Sequence, residues 1–96
     1  MRQSFIEIPE GFSRGQNYPN PFNPSTIIRY ELSKESYVNL VIFDILGREV
    51  KTLVDAKQES GRKTVSFDAS KLPGGVYFYR LIAGKFKSVK KMVLIR

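Results

Sequence analysis

The chain has 96 residues, 42% hydrophobic and 26% charged, the composition of one folded domain with a modest core. It contains no Cys and no His, which excludes disulfides, thiol chemistry and Ser-His-Asp or Cys-His catalysis, and removes the commonest metal ligand. The net charge of +7 is one-sided: residues 1–68 balance nine Lys/Arg against nine Asp/Glu, whereas residues 69–96 hold seven cations and no acid.

Residues 1–16 open with Phe5-Ile6-Glu7-Ile8 and are then broken by Pro9, Gly11 and Gly15. They read as a linker or the tail of a preceding domain. The stretch MRQSFIEIPEGF lacks the apolar core of a secretory signal peptide, and no run approaches the ~20 apolar residues of a membrane helix. Asn17 to Pro24, NYPNPFNP, is forced into an extended path by its prolines. It reads as an edge strand that inserts Tyr18 and Phe22 into the core, with a rigid linker as the alternative.

Ser25 to Leu32 alternates, with Ile28, Tyr30 and Leu32 on the buried side. Tyr37 to Phe43 follows with Val38, Leu40 and Ile42 inward. Asp44 to Arg48 is a turn in which Gly47 takes positive φ. Glu49 to Val54 reads as a shorter strand, Asp55 to Gly61 as a loop, and Thr64 to Phe67 as a strand with Val65 and Phe67 inward. Asp68 can cap one helical turn before Pro73. Leu72-Pro73-Gly74-Gly75 is a sharp reversal into Val76–Ala83, rich in β-branched and aromatic residues. Here Tyr77, Tyr79 and Leu81 share one face, and Val76, Phe78 and Ile82 the other. A turn at Ala83-Gly84-Lys85 leads into a last strand predicted to run from Phe86 to the end of the chain. About seven short strands at this turn spacing predict an all-β, immunoglobulin-like antiparallel β-sandwich.

No constellation points to catalysis, so the chain is read as a non-enzyme without a cofactor or metal. Asp44 and Asp68 stand at strand ends, where Asp is a routine turn residue. Tyr77-Phe78-Tyr79-Arg80 interleaves aromatics with a cation but lacks the alternating Gly-aromatic pattern of an RNA-binding strand. A nucleic-acid partner is therefore not expected. The basic hairpin itself has two readings: lysines that suppress edge-to-edge aggregation, or a surface for an acidic partner.

The segments Asn17–Ile28, Val41–Val50, Leu72–Tyr77 and Lys90–Arg96 together resemble the type A C-terminal sorting domain of the type IX secretion system. The resemblance covers residues 17–96 in order, with Arg96 where the family often ends in Lys. It implies an address that the outer-membrane secretion machinery recognises and a sorting peptidase often removes. The attached passenger is then released, or held at the cell surface on anionic lipopolysaccharide after passing through the periplasm of a gram-negative bacterium. The absent signal peptide reads as the mark of a fragment cut from a longer precursor. Recognition is expected at Lys87, Lys90, Lys91 and Arg96, where a last strand at a sheet edge also suits strand addition. Pro73, Gly74, Gly75, Tyr77, Asp44 and Gly47 are expected to be structural. The stretches 44–54 and 75–84 also resemble the Ig-like domain of flagellar hook-capping proteins, so a structural or adhesive module stays open. So does a carbohydrate-binding accessory domain of a secreted glycosidase, although the chain has no Trp.

Overall fold

A computed structural model describes Pro21 and residues 24–95. Six strands follow one another: β1 Ser25–Leu32, β2 Ser36–Asp44, β3 Glu49–Gln58, β4 Gly61–Asp68, β5 Gly75–Ala83 and β6 Phe86–Leu94. All pairings are antiparallel. One sheet has the order β1-β4, the other β3-β2-β5-β6. The two lie against each other as an antiparallel sandwich, consistent with the immunoglobulin-like class.

Period-2 patterning explains the layering. Along β1, buried and exposed residues alternate without a break, and Ile28, Tyr30 and Leu32 enter the core. Val38, Leu40 and Ile42 of β2 meet Tyr77, Tyr79, Leu81 and Ala83 of β5, with Phe67 of β4 and Met92 and Leu94 of β6 completing one apolar cluster. Across it the Tyr30 hydroxyl on β1 donates to Gln58 Oε1 on β3 at 2.6 Å, tying the two sheets together. Burial pushes that phenol up to about 12, so it stays a neutral donor.

Several expectations change. The described residues form six strands rather than seven, and the proline-rich segment read as the extra edge strand lies largely outside them. Asp55–Gln58 is not loop but the end of β3, paired with Ser36–Asn39 of β2. These polar residues stand on solvated strand, where the ladder rather than side-chain burial fixes the backbone. Asp55 is also used: its Oδ1 accepts the Tyr37 hydroxyl at 2.6 Å. β4 correspondingly begins at Gly61, so just Glu59 and Ser60 separate it from β3. The single turn expected after Asp68 is present: Asp68 accepts from Ser70 N at 2.9 Å while Leu72 N donates to the Ala69 carbonyl at 3.0 Å. The last strand stops at Leu94, and Arg96 lies outside the described residues.

Candidate recognition surface

One end of the sandwich gathers the residues expected to be structural. The Asp44–Arg48 turn is held by its first side chain. Asp44 Oδ1 accepts from Leu46 N at 2.9 Å and Arg48 N at 3.0 Å, and Oδ2 accepts from Arg48 Nε at 2.8 Å. Gly47 closes the turn at φ +83°, a conformation other residues resist. Bonding to Arg48 above all holds the Asp44 carboxyl below its ordinary range, and the Ser70 amide does the same for Asp68. A carboxylate favoured in the folded state stabilises fully above its unfolded pKa of about 4 and loses that contribution as pH falls through the lower folded value. Asp44→Asn should therefore melt below the parent at pH 7, with the gap starting to narrow below about pH 4 and shrinking further as pH falls through the lower folded value. A gap that stays constant on acidification would detach the carboxylate from stability.

Opposite this turn, the Leu72–Gly75 reversal is pinned by Tyr77, whose hydroxyl donates to the Pro73 carbonyl at 2.7 Å. Of the two glycines Gly75 alone takes positive φ, at +145°, and a Cβ there would meet open space, so its constraint is backbone conformation. Gly74 lines an open groove of about 330 Å³ between Asp44–Arg48 with Val50 and Leu72–Tyr77. Ile45 and Leu46 stand at its lip, both more than two-thirds exposed. Asp44, Gly47, Pro73, Gly74, Gly75 and Tyr77 thus belong to one end, although the turns lie about thirty residues apart.

The cations of the last hairpin do not form one cluster. Strand alternation sends Lys87 and Lys91 to the outer face of the four-stranded sheet, both exposed. Lys90 falls on the opposite face with Met92 and Leu94, half-buried opposite Tyr79. The outer face also holds Arg80, which the sequence offers only as part of an aromatic-cation run and not as a recognition residue. Arg80 belongs with Val76, Phe78 and Ile82 by the same period of two. Its guanidinium lies 4.9 Å from the centre of the Phe43 ring, and Nη2 donates to Asn39 Oδ1 at 3.1 Å. Between Asn39 and Phe43, directly opposite Arg80, Val41 is only 2% exposed although it is on the outer face. The alternation in the sequence was sufficient to place Arg80 there. The stacking of Arg80 on Phe43 depends on β2 and β5 being neighbours, which local pattern does not state.

No curated protein and no solved structure matches the chain. Residues 16–95, however, match the family described as the secretion system C-terminal sorting domain. That match spans most of the chain, so the chain belongs to the type IX secretion C-terminal sorting domain family, and its role is that of a sorting signal.

Proposed function

We propose that this domain is a non-catalytic address for a passenger attached before it, read by the outer-membrane secretion machinery and delivered to the cell surface or medium. The observation that supports this most directly is the hairpin β5–β6: it ends the order of its sheet among the described residues, and from residue 69 onward the sequence holds cations without one acid. Such a surface steers an acidic receptor toward the end of the domain. Lys87 and Lys91 present charge from the outer face, and Arg96 adds a further cation. Lys90, half-buried opposite Tyr79, contributes less to reading than to packing its stem. Removal by a sorting peptidase and retention on anionic lipopolysaccharide would follow recognition.

The whole chain fused behind an exported reporter, in a host with a type IX system, should send the reporter to the medium or cell surface. Lys87→Glu with Lys91→Glu should lower delivery severalfold while the domain melts within a few degrees of the parent, since exposed charge changes move stability by about 0.5 kcal/mol. A reporter retained in the periplasm with the intact domain would remove the sorting reading and favour the structural module.

A further inference from the structure

We infer that the outer face of the four-stranded sheet is a docking surface for an acidic protein, which places a carboxylate on Arg80 and apolar side chains around it. This inference rests on the sorting reading above and specifies which surface the machinery grips and with what chemistry.

The face has the anatomy of an interface hot spot: an arginine centred among apolar and aromatic side chains, with a charged rim. Phe43, Phe78 and Ile82 are half-buried around Arg80, and Val89, its partner on β6, is 53% exposed. The guanidinium is fixed on both sides, by the Phe43 ring and by Asn39, so little rotamer freedom remains to be lost on binding. Among the described residues Arg80 has no carboxylate partner, and its buried Nε makes no hydrogen bond. The enclosed Nε is beyond the reach of a docking group, so the contact falls to the Nη donors, which match a carboxylate fork. Strands β5 and β6 contribute no acid to the face, Lys87 and Lys91 extend the positive field along its β6 margin, and the acids of the face, Glu49 and Asp55, stand on β3 at the far margin.

Two features select a protein over an anionic lipid surface. Phe43, Phe78 and Ile82 are half-buried on the face of a sheet rather than carried on the tip of a loop, so they suit packing against another folded surface. The central cation is a single oriented fork, suited to one placed carboxylate, whereas lipid headgroups respond to many mobile charges.

The test keeps the full chain in the reporter fusion and replaces Ile82 with the photoreactive benzoylphenylalanine. Position 82 lies on an interior strand, so a molecule paired only along β6 is out of reach. Illumination during export should yield an adduct to a protein of the secretion machinery, mapping beside an Asp or Glu. Arg80→Gln should reduce that adduct about tenfold, the loss of one charge-assisted contact. Arg80→Lys should reduce it severalfold, because charge is kept and the fork lost. Val89→Glu, at an exposed position, should reduce it by like-charge repulsion without altering the melt, and so answers for any variant at Arg80 that folds poorly. Adducts indifferent to Arg80 and Val89, adducts to lipopolysaccharide or to a second copy of the chain, or normal secretion with no adduct would each overturn the docking surface while leaving sorting intact. Failure of the unlabelled fusion to be delivered would overturn both.

Discussion

Tyr77→Ala is expected to cost about 3–5 kcal/mol of folding stability, the range for truncating a buried aromatic. The ring is 6% exposed and belongs to the central cluster. In the register it stands between Asp44 of β2 and Met92 of β6, so its loss opens a cavity beside two strands at once. It also releases the Leu72–Gly75 reversal, because the hydroxyl no longer holds the Pro73 carbonyl. Tyr77→Phe separates the two roles. Keeping the ring and losing one hydrogen bond should cost about 0.5–1.5 kcal/mol, since exposed Pro73 lets water take the carbonyl. Urea unfolding of the three proteins gives the comparison. For a domain with ordinary net stability of about 5–15 kcal/mol, the alanine variant should show a midpoint far below the parent. A loss under ~1 kcal/mol would mean that the ring holds neither core nor turn.

Burial periodicity is a local signal, and where it was strong the sequence was sufficient. Ile28, Tyr30 and Leu32, and Tyr77, Tyr79 and Leu81, lie inward as their alternation requires. The link between the Tyr77 hydroxyl and the backbone of its turn was also legible, because a buried phenol beside a proline-glycine reversal needs an acceptor. What failed depended on neighbours. Asp55–Gln58 looked like loop by composition, but an outer strand can be polar where the adjacent strand supplies its hydrogen bonds. Val41 looked exposed by parity, yet it is 2% exposed, with Arg80 directly across from it on the adjacent strand. Two bulges in β3, opposite the Leu40/Val41 and Ile42/Phe43 steps, further blur its alternation and hid its length. The lysines illustrate the same limit at the candidate site. Lys90 and Lys91 are one charge pair in sequence and point to opposite faces on a strand.

That alternation decides how the address must be dissected. Deleting Met92–Arg96 removes the terminal cation, and it also removes Met92 and Leu94, which are 0% and 2% exposed in the core. Losing either side chain alone would cost about 2–5 kcal/mol, and the pair approaches the whole stability of a small domain. The strand pairing of Tyr77 with Met92 and Gly75 with Leu94 disappears as well. The truncated domain should thus be largely unfolded at 25 °C by circular dichroism, and its failure to deliver a reporter would report folding rather than recognition. Deleting just Ile95 and Arg96 leaves β6 whole and removes a half-exposed side chain, so stability should change by no more than about 1 kcal/mol. If this shorter deletion blocks delivery while the melt is unchanged, the machinery reads the terminal residues themselves. If delivery persists, those residues are dispensable and reading is confined to the folded surface, where Arg80, Lys87 and Lys91 lie. A five-residue truncation that remains cooperatively folded would contradict the packing of Met92 and Leu94 on which this distinction depends.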